Sequence, residues 1–212
     1  MDTIQLIGST MGLGFLAGIR LYATVLALGL AVRFQWIHPA GSWGSLQILG
    51  HPAVLAVAAL GCVAEFFADK IPWVDSVWDS FHTFIRPIGA AVLAGAVLVP
   101  VDPPLRLALI LLCGGVALAS HSSKATARLA ANHSPEPFTN IGMSLIGDVL
   151  APFGVWLSLK HPLIVLTLVL IFLGVFAWFA PKIVRAVRTR VRAVKGFFGG
   201  RNGGVSAPAN YR

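Results

Sequence analysis

The chain is a succession of long apolar stretches separated by short polar breaks. Six such stretches are recognisable, at residues 4–32, 53–68, 87–101, 105–120, 141–159 and 163–180. A helix needs about 20 apolar residues to cross a bilayer, so the pattern predicts an all-α, polytopic transmembrane bundle of about six spans. Residues 73–86 are amphipathic. They either continue into the short third stretch through a kink at Pro87 or form a re-entrant pair with it.

The composition agrees with an integral membrane protein. Hydrophobic residues make up 57% of the chain and charged residues only 11%, whereas a soluble domain carries about 25% charged residues. The net charge is +8, but eight of the sixteen Lys and Arg residues lie from Lys182 onward. The rest of the chain is neutral, so the charge does not indicate nucleic-acid binding.

The sequence divides into a membrane domain, 1–181, and a basic segment, 182–212. The residues from Arg185 to Lys195 place valines on one helical face and arginines on another. This pattern is typical of a helix on anionic lipid, or it serves only as a topology anchor. The Gly-rich end is expected to be disordered. Six spans put both termini on one side, and the excess of basic residues makes that side the cytosol.

Four of the eight carboxylates fall within fifteen residues. They are Glu65, Asp69, Asp75 and Asp79, and His82 and Arg86 follow at once. The last four of these six residues are spaced 4, 3 and 4 apart, which places them on one stripe of a helix. Such a stripe can bind a divalent metal ion through Asp75, Asp79 and His82, or it can relay protons. The alternative is a surface helix whose polar face is simply wet.

A second polar stripe is cationic and contains His121, Lys124 and Arg128. Paired charges are cheaper to bury, so the two stripes are expected to face each other, with Asp75 or Asp79 near Lys124 or Arg128. The alternative is a purely structural ion-pair network.

Two further ionisable residues interrupt apolar stretches. Asp148 belongs to a third stripe with Asn140 and Ser144, and Arg20 lies in the middle of the first stretch. An arginine at membrane depth needs a carboxylate or an anionic ligand, and Asp148 is the expected partner of Arg20.

Three classes of function fit these stripes. The leading hypothesis is a small transporter or permease with a charged cavity open to the cytosol, coupled to protons or cations and acting on a small polar or ionic solute. The second is a membrane-embedded, metal-dependent enzyme acting on a lipid headgroup. The third is a scaffold with a structural ion-pair core. Motifs for serine nucleophiles, zinc proteases and phosphate-binding loops are absent from the sequence, which favours a non-enzymatic role.

Four segments resemble a bacterial membrane family, domain of unknown function 4126. They are AGIRLYATVLALGL, EFFADKIPWVDSVWD, HTFIRP and NHSPEPFTNIGMSLIGDV, and the likeness covers about residues 10–165. Its most specific part is the string ADKIPWVDS followed by WD. The resemblance implies a multi-span protein of the bacterial inner membrane and brings no activity or catalytic residues with it.

Overall fold

The computed structural model describes residues 3–37, 41–131 and 137–199, whose regular secondary structure is helical, with no strand among them. The elements are α1 (Thr3–Arg33), a 3-10 segment (Gly41–Gly50), α2 (Pro52–Ala68), α3 (Pro72–Val97), α4 (Pro103–Ala131), α5 (Pro137–Lys160) and α6 (Pro162–Gly199). The predicted all-α class is confirmed. The chain forms two compact units, residues 1–173 and 174–212, and each is described by itself.

Five of the six α-helices begin with a proline. Proline suits the first position of a helix because its φ is already helical and the amide it lacks has no partner there. At α2, His51 adds a cap, since its Nδ1 accepts a hydrogen bond from the Ala53 amide. The turn residues thus set where each helix starts.

Helix α1 is the centre of the first unit and contacts α2, α3, α4, α5 and the 3-10 segment. Small residues allow this close packing, as in many membrane bundles. A Cβ at Gly8 would overlap the backbone of Pro162, and a Cβ at Gly18 would overlap the Ala117 carbonyl and the Ser120 hydroxyl.

The direction of α1 changes at Arg20, whose φ of −147° and ψ of 82° are not helical. The first half runs parallel to α4, because Gly14 lies against Cys113 and Gly18 against Ala117. The second half runs antiparallel to α2, because a Cβ at Gly29 would meet the Leu55 side chain, and Gly61 lies against Tyr22 near the other end of both elements.

Helices α2 and α4 run in the same direction, since their C-terminal ends meet. Lys124 lies 3.7 Å from Glu65, and Arg128 lies 2.8 Å from Asp69. The two halves of α1 therefore run in opposite directions, and α1 is a helical hairpin with Arg20 at its tip. Both ends of this hairpin lie at the end of the bundle where α5 finishes, because Ser9 donates to the Ser158 carbonyl while Ala31 lines a cavity together with Lys160.

Among the described residues, four helical segments are long and apolar enough to cross a membrane: Thr3–Arg33, Val77–Val97, Pro103–Arg128 and Pro162–Lys182. The predicted count of about six spans is not confirmed. Although α1 is long enough in total, it does not cross the membrane once as a straight helix. Its halves, 3–19 and 21–33, are each shorter than a span, which requires about 20 residues. The prediction that both termini lie on one side of the membrane assumed six crossings, with α1 as one of them. Because α1 is a hairpin, that assumption no longer supports the prediction.

Residues 73–86 form the first part of α3, which continues through Pro87 without a break. The continuous-helix alternative is therefore observed, not the re-entrant pair. The polar face of this segment is inside the bundle, where Asp75, His82 and Arg86 are buried, whereas Phe81 and Phe84 are 66% and 72% exposed. A polar face turned inward and an apolar face turned outward is the arrangement expected in lipid, and it excludes the wet surface helix.

In the second unit, α6 continues to Gly199 with Pro181 inside it. Lys182 places its ammonium group 3.0 Å from the centroid of the Trp178 ring, a cation–π contact. The side chains of residues 186–199 and all of 200–212 lie outside the described part of the chain. The anionic-lipid contact and the disordered tail therefore remain predictions.

Candidate functional site

The tip of the α1 hairpin is held by side chains of α3 and α4. The Gly18 carbonyl accepts a hydrogen bond from Arg86 at 3.2 Å, and the Ile19 carbonyl accepts one from Lys124 at 3.0 Å. A break in a helix interrupts the regular backbone bonding, and buried carbonyls near it need other donors. Two cations from other helices provide those donors beside Arg20.

The Arg20 side chain is buried and joins α1 to α2 and α5. Its guanidinium lies 2.5 Å from Asp69, 3.0 Å from Asp148 and 3.8 Å from Glu65. It also donates to the Ser144 hydroxyl at 2.7 Å. The expected pairing of Arg20 with Asp148 is present, and α2 supplies two further carboxylates.

Arg86 is the centre of the deepest part of the site and is fully buried. It donates to Glu65 at 2.5 Å, and Lys124 lies 3.7 Å from the same carboxylate oxygen. Arg86 also donates to Nδ1 of His121 at 2.6 Å. A guanidinium can only donate, so Nδ1 accepts, and the proton of the neutral ring is on Nε2, which donates to the Asp79 carbonyl at 3.1 Å.

Arg128 contacts three carboxylates at once. It lies 2.8 Å from Asp69 and 3.6 Å from Asp79, and it donates directly to Asp75. One positive charge cannot neutralise three negative ones. The carboxylates around Arg128 therefore compete for it.

The carboxylates differ in the number of cations that they contact. Among the ion pairs of the described residues, Asp75 contacts Arg128 alone, whereas Asp69 contacts both Arg20 and Arg128 and Asp79 contacts both Arg86 and Arg128. Asp75 therefore depends on a single cation that it shares with two other carboxylates.

His82 is buried beside this network and faces aromatic residues. Its Nδ1 lies 2.8 Å from the Trp78 carbonyl, and its ring stacks on the Trp78 indole at 4.4 Å between centroids. The carbonyl can only accept, so in the neutral ring Nδ1 donates and Nε2 accepts from the Tyr22 hydroxyl at 3.3 Å. Both ring nitrogens already have partners.

The predicted metal-ligand set of Asp75, Asp79 and His82 does not form. The two carboxylates turn to Arg128 and the imidazole turns to Tyr22. Across residues 3–37, 41–131 and 137–199, no three His, Cys, Asp or Glu side chains are grouped to hold a metal ion. Helical spacing placed these residues on one face, but nearby guanidinium groups provide the positive charge that a metal would have supplied.

Among the described residues, the network contains one more carboxylate than it has Lys and Arg side chains. Its carboxylates are Glu65, Asp69, Asp75, Asp79 and Asp148, and its Lys and Arg residues are Arg20, Arg86, Lys124 and Arg128, joined by nine ion pairs. Within this set, four buried carboxylate oxygens accept no hydrogen bond, namely Glu65 Oε2, Asp69 Oδ1, Asp79 Oδ1 and Asp148 Oδ2. An unbalanced buried charge is costly, so the excess carboxylate calls for a compensating positive charge.

Ten of the eleven predicted site residues are joined directly by ion pairs or hydrogen bonds. The eleventh, His82, lies beside them on Tyr22. The sequence reasoning missed Tyr22 and also Thr83, whose hydroxyl lies 3.2 Å from Nε2 of His121. The only signal in the sequence was that each of these two residues lies close to a predicted site residue. That these residues form a binding site remains a prediction.

A large apolar groove lies next to the network. Its volume is about 880 Å³, and it runs between the second half of α1, α2 and α5. Asp148 lines the groove near the network and Lys160 lines the opposite end. A smaller cavity of about 200 Å³ lies between the first half of α1, α5 and α6.

Buried ion pairs inside a bundle with apolar outer faces are the mark of a helical membrane protein. The chain belongs to the family described as a domain of unknown function, DUF4126, whose model matches residues 7–182. No curated protein and no solved structure matches the chain.

Proposed function

We propose that this protein is a proton-coupled transporter of a small charged solute. The observation that carries the proposal is the α1 hairpin, which places a broken helix and the buried Arg20 in the centre of the ion-pair network. Discontinuous helices of this kind form the substrate and ion sites of many transporters near the middle of the bilayer.

The proton would be carried by Asp75. With one carboxylate in excess, the network is neutral when one carboxylate is protonated. Asp75 is the candidate, because its one cation, Arg128, is shared with Asp69 and Asp79. When Asp75 takes up a proton, it releases its share of Arg128 to those two carboxylates. This exchange gives two charge arrangements, and coupled transport requires two such states.

The solute would be recognised by groups that already change partners. An anionic group would compete with the carboxylates for Arg128 and Arg20, and a cationic group would bind the carboxylate oxygens that accept no hydrogen bond. We favour an anion, because an anion that displaces a carboxylate from Arg128 makes that carboxylate easier to protonate. Solute and proton would then bind together.

The proposed location is the bacterial inner membrane, with the network in the cytosolic half. Helices α2 to α6 would cross the bilayer five times, and the α1 hairpin would enter and leave on the outer side. The N-terminus would then be outside, which replaces the cytosolic N-terminus predicted from six spans. Lys70 and Arg128 at the network end, together with the basic segment from Lys182, support this orientation.

Proteoliposomes loaded with a pH-sensitive dye test the proposal. A panel of phosphates, carboxylates and organic cations is added under an inward proton gradient, and we expect at least one solute to accelerate proton entry. Asp75→Asn should abolish that acceleration, whereas Asp102→Asn, at an exposed carboxylate outside the network, should preserve it. Equal proton entry in Asp75→Asn and wild type would refute the role of Asp75, and no response to any solute would count against transport.

The extent of the ion pairing favours one other function, a membrane scaffold with a structural charged core, because each of the five carboxylates lies within ion-pairing distance of at least one cation. Under that reading, Asp75→Asn changes stability alone. Thermal stability of the detergent-purified variant, measured with and without the responsive solute, separates the two. A specific ligand present at about 100 times its Kd adds about 2.7 kcal/mol, and a scaffold would show no such gain.

A further inference from the structure

The groove between α1, α2 and α5 is long enough to hold a lipid acyl chain. Along α5 it extends from Leu145 to Lys160, a distance of about 22 Å at the helical rise of about 1.5 Å per residue. The hydrocarbon of a single leaflet is about 15 Å thick, half of the bilayer value. An acyl chain of one leaflet therefore fits within the length of the groove.

The walls of the groove suit a hydrocarbon chain. Ala23, Ala27 and Ala31 leave space along α1, and the charged residues of the lining, Asp148 and Lys160, lie toward opposite ends. The groove is open to the side, because Val63, Phe67, Leu145 and Trp156 line it and remain 50–60% exposed. A lipid chain can therefore enter from the bilayer without any rearrangement.

The two charged residues give the occupant a direction. Lys160 is exposed at the mouth, near Trp36 and Trp156, which also line the groove. Lysine and tryptophan at this level are typical of the lipid headgroup region. At the other end of the groove, the negative charge of Asp148 repels a phosphate. Because Asp148 is paired with Arg20, that end can still accommodate the end of an acyl chain.

We propose that this groove binds one anionic phospholipid, with an acyl chain along α1 and the phosphate on Lys160. The inference does not depend on transport, since it rests on the groove and not on the proton site. It does connect lipid occupancy to the network, because Asp148 belongs to both.

Tryptophan quenching by brominated lipid tests the proposal, because Trp156 lies in the groove wall. The protein, with its other tryptophans changed to Phe, is placed in phosphatidylcholine vesicles that contain a minor fraction of phosphatidylglycerol with brominated chains. We expect quenching to show an affinity for the brominated anionic lipid about fivefold above its share of the bilayer, the factor expected for one basic contact. Lys160→Gln should remove this preference, and Arg33→Gln, which takes the same charge from the same end of the bundle outside the groove, should keep it.

A second pair of variants tests the position of the chain. Ala27→Phe fills the groove and should abolish the preference, whereas Ala108→Phe, on an exposed face of α4, should leave it intact. Native mass spectrometry of the otherwise unaltered chain, with and without Lys160→Gln, should show one retained phosphatidylglycerol that the variant loses. Quenching in proportion to the bulk lipid, equal losses in Lys160→Gln and Arg33→Gln, or an unchanged preference in Ala27→Phe would each overturn the proposal. None of these results bears on the proton entry assigned to Asp75.

Discussion

Replacing Arg86 with Met should lower the free energy of unfolding by about 3 kcal/mol. Arg86 is fully buried and donates to Glu65 at 2.5 Å, and removing one partner of a buried ion pair costs about 3–5 kcal/mol. We expect the lower end of that range, because Lys124 and Arg20 remain 3.7 Å and 3.8 Å from the same carboxylate oxygen. These two cations partly neutralise the charge that Arg86 leaves behind.

Unfolding in mixed micelles, followed by circular dichroism, measures this cost. Glu65→Gln alone should also destabilise, because it leaves Arg86 without its main carboxylate. The double variant should be more stable than the sum of the two single effects predicts, by about 1–3 kcal/mol of coupling. Arg33→Met, at an exposed site, should change stability by no more than about 0.5 kcal/mol. Additive effects in the double variant, or equal effects of Arg86→Met and Arg33→Met, would refute the reasoning.

One other prediction follows from the hairpin. In a chain without its native cysteines, cysteines at Thr3 and Asp102 should react with an impermeant maleimide from one side of the membrane and a cysteine at Lys70 from the other. If the cysteines at Thr3 and Lys70 were labelled from the same side, the result would contradict the hairpin and support the six-span topology.

The charged stripes could be predicted from sequence because helical spacing fixes which residues share a face. The interval of four between Asp75 and Asp79 placed both on the face that meets Arg128. Burial of these charges, and the pairing of Arg20 with Asp148, followed from the cost of an isolated charge in lipid. The same spacing also suggested a metal site, and the described residues form no such site. Spacing along one helix does not reveal which cations approach from other helices.

The hairpin could not be predicted, because the one glycine beside its tip, Gly18, is a common residue in transmembrane helices. Arg20 lies between Ile19 and Leu21 in a long apolar run without proline, and such a run is typical of a straight span. Its non-helical backbone is stabilised by Arg86 and Lys124, which are distant in sequence. A re-entrant pair was one of the two alternatives at Pro87, because proline is the usual signal of a helix break, but α3 continues through it.

The dependence of the α1 tip on α3 and α4 has a consequence for biogenesis. Because α1 precedes α3 and α4 in the chain, the carbonyls of Gly18 and Ile19 have no Arg86 or Lys124 to bind when α1 is synthesised. The Arg20 charge likewise has to wait for its carboxylates on later segments. The tip of α1 can therefore reach its final position only after α3, α4 and α5 have been made.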